Sequence, residues 1–150
     1  VKARLRIQNP EGDRVVYEEV LVEALADGAR VLNSPALIEN LAAGDVIRFR
    51  PDGTFEHLRR SGNLCVQVFR GRPPSAEVED RLNADVEALR GWLDVSGNGF
   101  LVYTVPIRPA GFAAVERAFN RAVEAEPSMS WMYGNVYDPR TGDPLNWWEA

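Results

Sequence analysis

Between residues 63 and 137 the apolar side chains alternate between two spacings, and this alternation restricts the fold more than any other feature of the chain. "LCVQVF" at 64–69 is an apolar run of strand length. Val78, Leu82, Val86, Leu89 and Leu93 then recur three or four residues apart, the repeat of a helix with one buried stripe. Ser75 stands where an N-cap belongs, and Glu77, Glu79 and Asp80 fall in the first turns, where the helix dipole favours negative charge. "WLDVSGNGFLVYTVP" reads as two strands joined at Ser96-Gly97-Asn98-Gly99, a hairpin signal because glycine and asparagine tolerate positive φ. Phe112, Val115, Phe119, Ala122 and Val123 mark a second amphipathic helix that stops before Pro127, and "MSWMYGNVY" supplies a last strand. Strand, helix, strand, strand, helix, strand is the split order of a ferredoxin-like sandwich. Both helices then cover one face of a four-stranded antiparallel sheet, and the other face needs a cover.

The first 62 residues have a different rhythm. Period-two alternation and the breaks at Gly12-Asp13, Asp27-Gly28 and Asp52-Gly53 predict short strands over 3–8, 14–25, 30–33, 45–50 and 54–60. "SPALIENLAAGD" between them predicts one short helical turn stopped by Gly44. The expected fold is therefore α+β. A small, bent antiparallel sheet or barrel over 1–62 packs on a ferredoxin-like βαββαβ sandwich over 63–150, which ends in an aromatic tail.

One hundred and fifty residues can bury a core without staples. The longest uncharged run, 95–107, has thirteen residues, well short of the ~20 that span a bilayer. The opening "VKARLRIQNP" reads as a strand instead of a signal peptide. Cys65 is the single cysteine, in apolar surroundings that suit a reducing compartment, so the expected location is the cytoplasm. The net charge of −5 is unevenly spread: residues 1–72 carry +1 and residues 73–150 carry −6. Such a second half repels phosphate backbones and attracts basic partners, which argues against nucleic acid.

Catalytic patterns are sparse. His57 is the lone imidazole, close in sequence to Ser61 and eight residues before Cys65; a hydrolase would have to bring it to one of them. One histidine and one cysteine lack zinc-site spacing, "DPRTGD" lacks the remaining ligands of a calcium loop, and neither phosphate-binding glycine motif occurs. No catalytic residue, cofactor or metal is assigned, and the chain is read as a non-enzyme. Arg48, Arg50, Arg59, Arg60, Arg70 and Arg72 crowd the junction of the halves and would form either an anion-binding patch or ion pairs with the acidic second half.

"WMYGNVYDPRTGDPLNWW" holds three of the four tryptophans and two of the four tyrosines. Alternation puts Trp131, Tyr133, Asn135 and Tyr137 on one face, while "LNWW" is able to fold back over the sheet. The rings either close the core or present a binding surface. Trp131, Tyr133, Asn135, Tyr137, Asp138, Trp147 and Trp148 are the candidate partner-binding residues.

With "ENLAAGDVIRFRPDG", "RRSGN" and the closing "WMYGNVYDP…PLNWW", the chain resembles a bacterial family known as domain of unknown function 4265. The resemblance implies a small cytosolic bacterial protein and carries no reaction. The expected function is a protein-binding module, such as an immunity protein that inhibits a basic bacterial toxin. The alternatives are a dimeric ferredoxin-like sensor of a small metabolite and a hydrolase using His57. The expected oligomeric state is monomer or homodimer.

Overall fold

The computed structural model describes residues 1–7, 15–72 and 75–149. The first half forms strands β1 (Lys2–Arg6), β2 (Tyr17–Ala24), β3 (Ala29–Val31), β4 (Val46–Phe49) and β5 (Phe55–Arg59). They make one antiparallel sheet in sequential order. Alternation decides which face is buried: along β2, Val20 and Val22 point inward while Leu21 and Glu23 are exposed. With Leu5, Val31 and Ile47 they build a small core, closed by Ile38 and Leu41 from the β3–β4 connection. The sheet is open, not a barrel. Among the described residues no ladder joins β1 to β5; Arg6 N–H donates instead to Gly53 O in the β4–β5 turn, at 2.8 Å. Strands as short as the three residues of β3 and the four of β4 leave little room for the tilt and stagger that closure demands. The Gly12–Asp13 turn and the Pro73–Pro74 connection lie outside the described residues.

The predicted helical turn between β3 and β4 does not form. A helix would pair these amides with carbonyls four residues back, but carboxylates satisfy them. Glu18 accepts from the N–H groups of Ala36, Leu37 and Ile38 at 2.8, 2.8 and 3.1 Å. Asp45 accepts from Ala42 N–H at 3.1 Å. The segment is thereby an ordered loop.

The second half runs β6 (Asn63–Arg70), α1 (Ala76–Ala88), β7 (Trp92–Gly97), β8 (Phe100–Pro106), α2 (Phe112–Ala125) and β9 (Met129–Tyr133). Its antiparallel strands lie in the order β7-β8-β6-β9. Leu64, Val66 and Val68 of β6 and Leu101, Tyr103 and Val105 of β8 meet Leu82 and Val86 of α1 and Val115, Phe119 and Ala122 of α2. On the opposite face, Cys65 and Val102 pack against Ala36 and Ala42. The cover is therefore the β3–β4 connection and not the strands of the first half.

Ser75 Oγ accepts from Val78 N–H at 3.3 Å and caps α1. The helix stops at Ala88, short of Leu93. Arg90 takes φ 66° and the Gly91 amide donates back to Val86 O at 2.9 Å, a left-handed C-terminal closure. Leu93 reaches the same core from β7. β9 is likewise shorter than expected, because after Tyr133 the Gly134 amide donates to Cys65 O and the Gly134 carbonyl accepts from Asn40 N–H, both at 2.8 Å.

Gly91 is required by space. A Cβ there would lie 2.6 Å from Thr104 O and 2.8 Å from Val86 Cγ1. Gly91→Ala is expected to lose about 1–3 kcal/mol of unfolding free energy, read from urea denaturation. An unchanged midpoint would contradict the close approach of the α1–β7 turn to β8.

Candidate functional site

The aromatic tail divides into three environments. Trp131 and Tyr133 lie on the helix-facing side of β9 and are half-buried against the main core. Their rings continue a chain of contacts: Trp131 is 5.5 Å from Phe119 and 5.0 Å from Tyr133, Tyr133 is 5.6 Å from Phe112, and Phe112 is 5.0 Å from Trp148. Trp131 Nε1–H donates to Asn120 Oδ1 at 2.9 Å. The Tyr133 hydroxyl has no partner among the described residues, and burial pushes its pKa up. Tyr137 and Asp138 belong to a surface turn. Tyr137 is exposed and bridges Pro144, and Asp138 accepts from the amides of Arg140 and Thr141, which hold its carboxyl below the usual range.

Trp147 and Trp148, in a 3-10 helix over Trp147–Glu149, form the third environment. Together with residues 59–63 and 106–108 they line a recess of about 670 Å3 between the two halves. The two indoles stand nearly perpendicular, 5.4 Å apart. Three arginines share the recess with them. Arg59 is paired with Asp27 at 2.7 Å. Arg60 donates through Nη2 to Asn40 Oδ1 at 2.6 Å, and its guanidinium sits 5.9 Å over the Trp147 ring. Its Nη1 has no partner among the described residues, and burial pulls its pKa below the ordinary value while the charge of Asp45 opposes that shift. Arg108 is exposed and makes no ion pair among the described residues. Among the described residues no carboxylate lines the recess.

Of the arginines singled out in the sequence, only Arg59 and Arg60 reach this site. Arg48 pairs with Glu56 of its own half, and Arg70 with Glu79 of the second. Arg108 went unrecognised, because it sits forty-eight positions from Arg60 in no motif. It is brought there by the β6–β8 register, which sets Asn63 opposite Pro106, and by Ile107 N–H donating to Gly62 O at 3.0 Å.

Two buried groups hold the walls together. Asn135, 1% exposed, accepts from Cys65 N–H at 2.9 Å, donates to Asn63 O at 2.8 Å and receives Trp147 Nε1–H on its backbone oxygen at 2.7 Å. It thus joins the 61–63 turn to the tryptophan wall from behind. Asp45 fixes the other side, accepting from Ser61 N–H at 2.8 Å and facing His57 Nε2 at 3.1 Å.

The groups a hydrolase would need make no hydrogen bond to one another among the described residues. His57 faces Asp45, and Ser61 Oγ donates to Ala43 O at 2.9 Å. Cys65 is fully buried, and burial pushes its thiol pKa up, which withholds the thiolate. Among the described residues no cluster of three His, Cys, Asp or Glu side chains is placed to hold a metal. No described helix is long and apolar enough to cross a membrane.

Asn135→Ala leaves the buried Cys65 amide without its acceptor and is expected to cost about 1–3 kcal/mol, measured by urea denaturation. A loss indistinguishable from zero would show that this junction does not hold the cleft.

A crystal structure of a hypothetical protein from Neisseria gonorrhoeae is similar in fold, with a TM-score of 0.68, 17% identity, and coverage of 89% of this chain and 94% of that one. No curated protein matches the chain at significance. The family described as Domain of unknown function (DUF4265) matches residues 18–131. That span includes the arginine wall and ends before the tryptophan wall. By that match, which covers most of its length, the chain belongs to the DUF4265 family.

Proposed function

We propose that this chain is a non-enzymatic binding protein that takes an anionic group into the arginine–tryptophan cleft. One juxtaposition supports the reading: Arg60 and Arg108 enter a recess with two indoles and, among the described residues, no carboxylate, in a chain of net charge −5. Overall negative charge repels anions, so cations gathered in one recess create a local exception. A guanidinium presents forked donors that match a carboxylate or phosphate. The partnerless Nη1 of Arg60 is a donor still to be satisfied. A recess of this volume is of the size that holds a small organic ligand.

The second half is read here as a ferredoxin-like sandwich, from its β7-β8-β6-β9 strand order and its helices on one face. Such a unit suits a sensor of a small cytoplasmic metabolite, working as a monomer or dimer; this step is fold analogy. A protein partner is the second reading, favoured by Glu77, Asp80 and Glu87 on one exposed stripe of α1. An immunity protein would use that stripe to steer a basic toxin.

Thermal-shift measurements with a panel of carboxylates and phosphates test the first reading. At least one anion is expected to raise the melting temperature, with its affinity falling about tenfold in Arg108→Ala. No response to any anion would sink it. Retention of a basic protein partner, abolished by Glu77→Lys with Asp80→Lys and untouched by Arg108→Ala, would favour the second.

A further inference from the structure

We infer that the anion taken by the cleft is an aromatic acid with a single negative charge, a flat ring carrying one carboxylate. The inference rests on the binding reading above and adds the ligand's class. Charge counting supports the single charge. Arg59 is already neutralised by Asp27 at 2.7 Å, and Arg60 lies in the field of the buried Asp45. Neither Arg60 nor Arg108 makes an ion pair among the described residues, but the charge of buried Asp45 offsets that of Arg60, which leaves Arg108 as the cation the recess does not compensate. A polyanion such as a di- or triphosphate would bring more charge than the recess compensates.

The remaining lining supports the ring. Pro106 and the nearly buried Ile107 form an apolar floor beside the indoles. Trp147 and Trp148 meet at 81°, making an aromatic corner in which a flat ring can stack on one indole and present its edge to the other. A guanidinium is also attracted to an aromatic face, and that of Arg60 already sits 5.9 Å from the centre of the Trp147 ring. A lining that holds both cations and rings calls for a ligand with both an anionic group and a flat apolar face. A bare inorganic anion would leave the apolar corner wet, and a neutral hydrocarbon would leave Arg108 without a counter-charge.

Quenching of indole fluorescence in the full chain, titrated with 1-naphthoate, 1-naphthamide, acetate and pyrophosphate, tests the proposal. Naphthoate is expected to bind saturably, and about tenfold or more tighter than the other three. The affinity should fall by a similar factor in Arg108→Ala and in Trp148→Ala, each checked for an intact unfolding transition. Equal binding of naphthamide would overturn both this inference and the anion reading. Acetate or pyrophosphate binding as well as naphthoate would leave the anion reading standing and overturn the aromatic monoacid. No binding by naphthoate would overturn the inference, and the carboxylate and phosphate panel would then judge the anion reading separately.

Discussion

Asp45 is 1% exposed, and its two carboxylate oxygens accept from the amides of Ala42 and Ser61 while facing His57 Nε2. A carboxylate taken out of water carries a desolvation penalty of several kcal/mol unless hydrogen bonds replace its hydration. Here they come from three separate stretches of chain. The Ala42 bond closes the turn that enters β4, the His57 contact reaches β5, and the Ser61 bond fixes the start of the turn forming one wall of the cleft. Removing the carboxylate would release all three at once. The same charge lies close enough to oppose the depression of the Arg60 pKa by burial, so the groups shaping the cleft also set its electrostatics.

A second polar seam runs alongside. Ser34 Oγ and Thr104 Oγ1 are buried and hydrogen-bonded to each other at 2.6 Å; Ser34 Oγ also accepts from Ala43 N–H, and Thr104 Oγ1 donates to Asp94. Gln67 Nε2 donates to Ala36 O at 2.9 Å. The apolar contacts between them are small, chiefly Ala36, Ala42, Cys65 and Val102. The interface between the halves is therefore specified by hydrogen bonds as much as by burial, and such bonds fix one docking geometry where slippery apolar surfaces would admit several. A recess at the seam inherits that fixed geometry, and binding there requires little further ordering.

Local signals in the sequence were faithful. The Ser75 cap, the stripe of α2 and the turn at Gly99 each depend on residues within a few positions, and each took the expected form. What failed was governed by distant partners. The loop at 34–45 looks helical until Glu18, on β2, reaches its amides. The helix stripe seemed to run on to Leu93 because a strand residue packed on the same core falls in helical register. The candidate site was legible only in pieces. Trp147 and Trp148 were singled out with Trp131 and Tyr133, but nothing in their composition separates rings that line a cleft from rings that close a core. Asn135 looked like a surface contact, yet it is a buried joint. Arg108 enters only through strand register.

The account turns on the Asp45 carboxylate holding the Ala42 and Ser61 amides, and amide hydrogen exchange reads those bonds directly. Both amides should be strongly protected in the native chain. In Asp45→Asn, where an N–H2 replaces one acceptor oxygen, at least one should lose protection by more than about tenfold relative to the β6–β8 amides. Exchange at the rate of an open loop in the native chain, or protection unchanged by the substitution, would contradict it.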